Sequence, residues 1–359
     1  MSNRKSSSES QAEYPSPRLT QIGASVLLAG LVLLLFAAGL SQAAPPSYPS
    51  ATYNPTVAGI LSQITTQTLA TDLAGLTGER PVVVGGTLYT ITTRNSYKSG
   101  VVTATQYAYE QMEALGLDVA YHHYTYGSNH WRNVVGEKPG QDDPDQIYLI
   151  TAHIDDMPGG IFNSVAPGAD DNGSGSIAVL TAARLLAPHD FDYTLRFVLF
   201  TGEEQGLLGS QAYAADCFAQ GEDIRGVVNL DMIAYNSNDN LSIDLWGRSD
   251  MAESLALTAL FAQVVDQYHL DLNPEQFSDV GGFPLQNSDQ WYFLTYGYPA
   301  ILAIEDNDDF TPWYHTVNDR LSSLDLDYYA DFTRAAVATI AHLGGVDEVI
   351  FLPWIAVAP

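Results

Sequence analysis

Residues 147–155 read IYLITAHID, an apolar run that ends in a histidine and an aspartate. A short continuous apolar run is typical of a strand that is buried on both faces of a sheet. Residues 195–200 (LRFVLF) and 227–230 (VVNL) have the same character, and segments with a helical spacing of apolar residues separate them. This alternation predicts a mostly parallel sheet that is covered by helices on both faces.

Further elements on either side extend the pattern. Apolar spacing predicts helices at residues 58–73, 101–115, 176–186, 207–213 and 324–343, and another strand at residues 300–304. The chain contains no internal repeat. We therefore predict one α/β domain over residues 58–346, preceded by a Pro/Ser-rich linker at 44–57 and followed by a tail at 347–359.

Polar residues that can bind metal follow the predicted strands directly. Active sites of parallel α/β sheets lie beyond the carboxyl ends of the strands, so we expect these side chains to converge on one edge. A Gly-rich loop ahead of the helix at 176–186 and a histidine after the strand at 300–304 complete the set. The members are His153, Asp155, Asp171, Glu203, Glu204, Asp231 and His315.

Each of these residues alone has an ordinary explanation. A buried histidine at a strand end is usually a hydrogen-bonded core residue, and Asp171 or Asp231 could cap the next element. One metal site accounts for all of them together. Imidazole and carboxylate ligands are typical of catalytic zinc, which keeps a position open for water and substrate. The single cysteine, Cys217, excludes a thiolate zinc site and an internal disulfide.

The ordered motifs resemble those of the bacterial leucyl aminopeptidase-like family of co-catalytic di-zinc exopeptidases, in clan MH. The matching motifs are His153-x-Asp155, Gly168-Ala169-Asp170-Asp171-Asn172, Gly202-Glu203-Glu204, Leu230-Asp231-Met232 and His315-Thr316. The similarity covers residues 96–343. It implies a three-layer α/β/α sandwich around a central, mostly parallel (mixed) sheet. It also implies a zinc-dependent aminopeptidase, which hydrolyses the N-terminal peptide bond with a zinc-activated water.

The resemblance assigns a role to each motif residue. It implies two Zn²⁺ ions per chain with Asp171 as the bridge between them. The remaining ligands are His153 and Asp231 for one ion, and Glu204 and His315 for the other. Glu203 takes the position of the general base and Asp155 the position behind His153. The resemblance further implies a cis peptide bond between Asp171 and Asn172.

The substrate side departs from the family pattern in one place. Many relatives have Ser-Asp-His where this chain has Ser288-Asp289-Gln290, so we expect the pocket wall near Gln290 to differ. Candidate pocket residues are Phe283, Gln290, Trp313 and Tyr314, with core packing as the alternative for some. The acidic stretch at residues 305–309 could attract a substrate ammonium group, bind calcium, or form a solvated loop.

Three other functions stay open on the sequence. A carboxypeptidase or dipeptidase with the same metal centre would need a cation for the substrate carboxylate. A glutaminyl cyclase-like transferase would cyclise N-terminal glutamine with one zinc. A non-catalytic receptor-type domain would lack ligands, whereas every ligand type is present here.

The charge of the chain limits its partners. The 359 residues include 14 basic and 42 acidic side chains, which gives a formal net charge of −28. A protein with this large a negative charge repels nucleic acid and anionic membranes. The expected partners are peptides with a free N-terminus, and the oligomeric state is open.

The N-terminal segment has the features of an export signal. Arg4, Lys5 and Arg18 precede an apolar stretch at residues 24–40, and Ser41-Gln42-Ala43 follows it. We predict a signal peptide at residues 1–43 and hence a secreted protein. The alternative is an uncleaved segment that anchors the protein to the outer face of the membrane.

Overall fold

A computed structural model describes residues 48–159 and 165–346, all within one compact unit. The predicted signal peptide, residues 1–43, and tail, residues 347–359, lie outside the described residues. The described strands are β1 (Val82–Val84), β2 (Thr87–Tyr89), β3 (Asp118–Tyr126), β4 (Asn129–Lys138), β5 (Asp143–His153), β6 (Tyr193–Phe200), β7 (Asp223–Asp231), β8 (Ser242–Arg248), β9 (Asn273–Asp279) and β10 (Ala300–Glu305). The described helices are α1 (Pro55–Leu61), α2 (Thr66–Leu76), α3 (Ser99–Glu113), α4 (Gly175–Leu186), α5 (Leu208–Gln220), α6 (Ala252–Gln267), α7 (Gln290–Thr295) and α8 (Leu326–Leu343).

Strands β3 to β10 form one mixed sheet in the order β3-β4-β6-β5-β7-β10-β8-β9. The four central strands β6, β5, β7 and β10 are parallel to one another. Strand β4 is antiparallel to β6, and β8 is antiparallel to β10. The carboxyl ends of the four central strands therefore meet at one edge of the sheet.

Successive residues of the central strands pack into two separate apolar clusters. Ile150 and Phe197 belong to one cluster, whereas their neighbours Leu149 and Val198 belong to the other. Helices α4, α6 and α8 contribute to the first cluster, and α5 and α7 to the second. Because side chains alternate between the faces of a strand, the sheet has helices on both faces, and the predicted three-layer α/β/α sandwich is confirmed.

The structure divides the predicted helix at residues 58–73 into two. Helix α1 ends at Leu61, and the hydroxyl of Thr65 accepts a hydrogen bond from the Thr68 N–H to cap α2. Thr65 has extended backbone angles, as an N-cap residue requires, so one continuous helix cannot form.

Part of the predicted linker belongs to the folded domain. The Tyr48 hydroxyl donates to the backbone oxygen of Arg225, and Ala51 is buried in the first apolar cluster. The Asn54 side chain accepts from the N–H groups of Thr56 and Val57 and caps α1. The described residues of this stretch, 48–57, therefore pack along the domain.

Within the described residues, no helix combines the length and apolar character needed to cross a membrane.

Candidate metal centre

Five side chains converge at the carboxyl edge of the central strands. His153 is the last residue of β5 and Asp231 the last residue of β7, which is the neighbouring strand. Asp171 lies in the turn that precedes α4, and Glu204 follows β6. His315 comes from the segment after β10. The edge predicted from the sequence therefore carries all five proposed metal ligands.

These side chains form two groups of three that share Asp171. The Nε2 atom of His153 lies 3.3 Å from Asp171 Oδ1 and 3.2 Å from Asp231 Oδ1. The Nε2 atom of His315 lies 3.4 Å from Asp171 Oδ2 and 2.9 Å from Glu204 Oε2. Within each group the candidate ligand atoms lie within 4.8 Å of one another. Each oxygen of Asp171 thus faces a different imidazole.

The chemistry of this donor set fits divalent cations. Asp171 is 3% exposed, and its buried Oδ2 atom has the His315 Nε2 atom 3.4 Å away but no hydrogen bond of good geometry among the described residues. Burying a charged oxygen without a partner is costly, so this atom requires a cation or a proton. Imidazole and carboxylate donors without thiolate are the ligands that catalytic zinc uses. A shared carboxylate between two ligand groups suits two ions rather than one.

Burial, and after it the neighbouring carboxylates, raise the pKa values of the acids in the metal-free site. Burial and the neighbouring carboxylate of Asp171 together raise the pKa of Glu204 to about 7. Burial also raises the pKa of Glu203 well above its usual value. Burial alone would lower the pKa of His315, but the neighbouring carboxylates of Asp171 and Glu204 raise it to about 10. A positive charge between these groups would stabilise their ionised carboxylates.

Glu203 lies beside the ligands and belongs to neither group. It lines the same cavity as His153, Asp171 and Asp231. The two neighbouring glutamates of the predicted motif therefore face different surroundings. This placement suits a residue that exchanges protons with a reacting group rather than one that binds metal.

Asp155 lies behind His153 with its backbone oxygen, rather than its carboxylate, nearest to the imidazole. The Nδ1 atom of His153 lies 3.2 Å from the backbone oxygen of Asp155 and 3.8 Å from its carboxylate. The carboxylate instead accepts from the Ser96 hydroxyl at 2.8 Å and from the Gly202 N–H at 3.0 Å. The Glu203 N–H is 3.4 Å away from it. Asp155 therefore links the histidine to the loop that carries both glutamates.

The turn before α4 holds Asp171 in place. The peptide bond between Asp171 and Asn172 is cis, as the resemblance implies. The carboxylate of Asp319 accepts the N–H groups of Asp170 and Asp171, each at 2.9 Å. The Asn172 side chain donates to the Leu230 backbone oxygen at 2.8 Å. Asp319 was not predicted as a site residue, because it is close to His315 in the chain but belongs to no motif.

A second support missed by the sequence analysis is Ser288. Its hydroxyl donates to Asp231 Oδ2 at 2.6 Å and accepts from the Asn229 side chain at 2.8 Å. The Thr151 hydroxyl donates in turn to Asn229 Oδ1 at 2.7 Å. This chain of hydrogen bonds leaves Asp231 Oδ1 directed at His153, where a metal would bind. Ser288 is part of the Ser-Asp-Gln motif, but its hydrogen bond to Asp231 is known only from the structure.

A cavity of about 410 Å³ opens beside the ligands. Of the predicted pocket residues, Phe283 and Tyr314 line it. The prediction for Gln290 is wrong: Gln290 is fully buried, accepts from Asn229 and donates to the Leu285 backbone oxygen. Trp313 is also outside the lining and is 38% exposed. Where many relatives of the resembled family have histidine, this chain therefore has a glutamine whose amide is buried and hydrogen-bonded within the fold.

The acidic stretch at residues 305–309 is not a uniformly solvated loop. Glu305 is fully buried, and burial raises its pKa well above the usual value. The half-buried Asp309 accepts from the backbone and hydroxyl of Ser237, and Asp306 accepts from Asn240. The stretch therefore tethers the segment between β7 and β8 to the end of β10.

The fold and the paired ligand groups define a metallopeptidase-like centre at the edge of an α/β/α sandwich. The sequence model of peptidase family M28 matches residues 133–340, which is more than half of the chain. The chain therefore belongs to peptidase family M28.

Curated relatives bear names from the same class. A probable zinc metalloprotease of Pyrenophora teres f. teres is 25% identical over 308 residues, which cover 72% of this chain and 63% of the relative. Aminopeptidase YwaD of Bacillus subtilis is 33% identical over 216 residues, 57% of this chain and 44% of the relative. Leucine aminopeptidase 1 of Trichophyton equinum is 29% identical over 222 residues, 59% of this chain and 57% of the relative. The chain thus spans less than two thirds of each of these proteins.

Solved structures share the fold. The LapA aminopeptidase of Legionella pneumophila superposes with a TM-score of 0.68 at 21% identity, over 85% of this chain and 78% of that one. BSAP, a zinc aminopeptidase of Bacillus subtilis, superposes with a TM-score of 0.63 at 14% identity, over 77% of this chain and 95% of that one. A glutaminyl cyclase of Bacteroides thetaiotaomicron superposes with a TM-score of 0.60 at 18% identity, over 77% of this chain and 98% of that one. At these identities the similarity establishes the architecture alone.

Proposed function

We propose that this protein is a zinc-dependent aminopeptidase that removes the N-terminal residue of peptides. The observation that carries the proposal is the pair of ligand groups that share Asp171, with Glu203 beside them on the same cavity. The proposal assigns two zinc ions per chain, one to His153 and Asp231 and the other to Glu204 and His315. Family M28 and the names of the curated relatives support zinc and peptide hydrolysis.

Bound zinc would supply Lewis acidity and lower the pKa of a water molecule to about 7. The chain's own contribution is proton transfer and positioning. Glu203 would accept the proton of the attacking water and deliver it to the departing amine, which needs a carboxylate near the reacting atoms. In the metal-free site, burial raises the pKa of Glu203 well above its usual value, which favours proton uptake by its carboxylate. Asp155 would hold the loop that carries this base.

The charge of the cavity favours a substrate's amino terminus over its carboxyl terminus. Acidic side chains among the lining residues are Asp171, Glu203, Asp231, Asp244 and Glu305. No lysine or arginine is among the described residues that line the cavity. A substrate ammonium group would be attracted there, whereas a C-terminal carboxylate would have no positively charged side chain to bind. This observation supports an aminopeptidase over a carboxypeptidase.

We further propose that the protein is exported. The support is the basic residues Arg4, Lys5 and Arg18 ahead of the apolar stretch at 24–40, followed by small residues up to Ala43. N-terminal sequencing of the protein recovered from culture medium and from membranes tests this proposal. An intact N-terminus on membrane-bound protein would favour the anchored alternative.

The test of the activity uses matched substrates with free and blocked amino groups. The zinc-loaded protein is incubated with aminoacyl amides and peptides, each free or N-acetylated. We expect hydrolysis of the free substrates alone. Hydrolysis of acetylated substrates in preference to free ones would overturn the aminopeptidase proposal, and cyclisation of N-terminal glutamine without hydrolysis would indicate a transferase.

A further inference from the structure

The cavity carries an acid on the side away from the metal ligands. Asp244 lies on β8, and its side chain lines the cavity together with Trp246, two residues along the same strand. Side chains two apart share a strand face. Neither residue belongs to a motif that the sequence analysis recognised.

The sheet register places Asp244 at a defined distance from the metal ligands. Ile304 of β10 is paired with Asp231 on one side and with Asp244 on the other. Two strand spacings therefore separate the backbones of Asp231 and Asp244, which is about 10 Å. At that distance Asp244 is too far away to bind the same ion as Asp231, but it lies within reach of a long substrate side chain.

The carboxylate of Asp244 accepts a hydrogen bond from the backbone of Asn307, but no lysine or arginine is among the described residues that line the cavity around it. The residue is 3% exposed, and burial raises its pKa to about 6. Two charged groups that act on it, Asp306 and Glu275, are also acids. The wall between Asp244 and the ligands is apolar, with Leu302 and Ile304 from β10. The result is an apolar passage that ends in a carboxylate.

We propose that Asp244 selects peptides whose N-terminal residue is lysine or arginine. This inference rests on the proposed aminopeptidase function. With the scissile carbonyl beside the metal ligands, the N-terminal side chain enters the cavity. A lysine side chain extends roughly 6 Å from Cα to Nζ. Its methylene groups would pack against Leu302 and Ile304, and its ammonium group would donate to the Asp244 carboxylate.

An apolar N-terminal residue would be disfavoured for a matching reason. It would fill the passage and leave the carboxylate of Asp244 buried without a cation, which is costly. Sites with a buried polar group discriminate strongly against analogues that cannot pair with it. The preference therefore has two causes. Lysine forms an ion pair with Asp244, whereas leucine leaves the Asp244 carboxylate buried without a cation.

The test compares substrates that differ by one ammonium group. Rates of the zinc-loaded protein are measured with 4-nitroanilides of lysine, arginine, norleucine and leucine, because norleucine keeps the aliphatic stem of lysine without the charge. We expect kcat/KM for lysine to exceed that for norleucine by roughly 10-fold or more. Asp244→Asn should bring the ratio of lysine to norleucine close to one.

Glu275→Gln is the matched control. Glu275 is paired with Asp244 on the neighbouring strand β9, is exposed, and is not among the cavity-lining residues. The substitution removes the same charge nearby and should leave the lysine preference unchanged. Melting temperatures and zinc contents of both variants are measured alongside, so that loss of preference is separated from loss of fold or metal.

The outcomes separate this inference from the proposed function. Hydrolysis of leucine or norleucine substrates in preference to lysine, unchanged in Asp244→Asn, would overturn the inference and keep the aminopeptidase. An equal loss of lysine preference in Glu275→Gln would also overturn it, because the effect would then be general to the local charge. Failure to hydrolyse any of the free substrates would overturn the proposed function and this inference with it.

Discussion

Glu203 and Glu204 are adjacent in the chain, yet their side chains have different surroundings. Glu204 lies 2.9 Å from His315 and belongs to a ligand group, whereas Glu203 lines the cavity outside both groups. Glu203→Gln should therefore retain both zinc ions and lose turnover by roughly 10²–10⁴-fold, the usual contribution of general acid–base catalysis. Glu204→Gln should lose zinc and thermal stability as well as activity.

Zinc content, melting temperature and steady-state rates of the two variants decide between these roles. Each variant serves as the control for the other, because both replace one carboxylate by an amide of the same shape. If Glu203→Gln releases zinc while Glu204→Gln keeps it, the assignment of base and ligand is reversed.

Ser288 is expected to position Asp231 rather than to bind metal itself. Ser288→Ala removes the hydrogen bond to Asp231 Oδ2, so zinc affinity should fall by about 10–100-fold, as for other residues that support metal ligands. Ser254→Ala is the control, since Ser254 is equally buried and donates to the backbone oxygen of Ala300, away from the site. Competition with a chromogenic chelator measures both affinities. Equal zinc affinity of Ser288→Ala and the unmodified protein would contradict this role.

At the scale of elements, the start of α4 packs too closely for any side chain larger than glycine. A Cβ atom on Gly175 would lie 2.4 Å from Asn172 Oδ1 and 2.7 Å from the Leu230 backbone oxygen. Gly175→Ala should therefore shift the turn that holds Asp171, destabilise the protein by about 1–3 kcal/mol, and weaken zinc binding.

Gly59 in α1 provides a matched substitution with the opposite expectation. A Cβ atom there would meet nothing within 4 Å, and the residue lies inside a helix. Gly59→Ala should stabilise the protein by about 0.5–1 kcal/mol and leave zinc binding unchanged. Urea unfolding of both variants measures the two changes. Equal effects from the two substitutions would show that the turn before α4 is not tightly packed.

The elements that the sequence predicted are those with strong local signals. Strands β5, β6, β7 and β10 are continuous apolar runs because helices cover both faces of the sheet around them. Strands β3 and β9 are partly or fully exposed along most of their length, so their sequences carry no apolar run. They were not predicted for that reason.

The site was predictable where a motif follows a strand and, for Asp171 and His315, where the residues match a motif of the resembled family. His153, Asp231 and the two glutamates follow apolar runs, and the parallel topology brings these strand ends to one edge. Ser288 and Asp319 act through contacts between segments distant in the chain, which no local pattern encodes. Gln290 was misassigned because its position relative to the motif did not show that its amide points into the core.

At the scale of the whole molecule, the metal site should control how stability depends on pH. In the metal-free fold, burial raises the pKa of Glu204 and of Asp289 to about 7 and that of Asp319 to about 8. In the unfolded chain the pKa values of the same groups are about 4. The folded state therefore binds more protons between these values, and its free energy of unfolding falls as pH rises.

The raised pKa of His315 acts in the same direction, because the folded form holds its proton up to about pH 10. We expect the melting temperature of the metal-free protein to fall as pH rises from about 5 to about 8. Zinc binds deprotonated ligands, so the difference in melting temperature between zinc-loaded and metal-free protein should widen over the same range. Calorimetry at several pH values measures both curves. A difference that narrows with rising pH would contradict this account of the site.

The central claim is a pair of zinc ions bridged by Asp171, and one measurement tests it most directly. Crystals of the zinc-loaded protein are measured at the zinc absorption edge, and the anomalous difference map is calculated. We predict two peaks of similar height, about 3.5 Å apart, on either side of the Asp171 carboxylate. A single peak in crystals of fully active protein, or two peaks that Asp171 does not bridge, would contradict the claim.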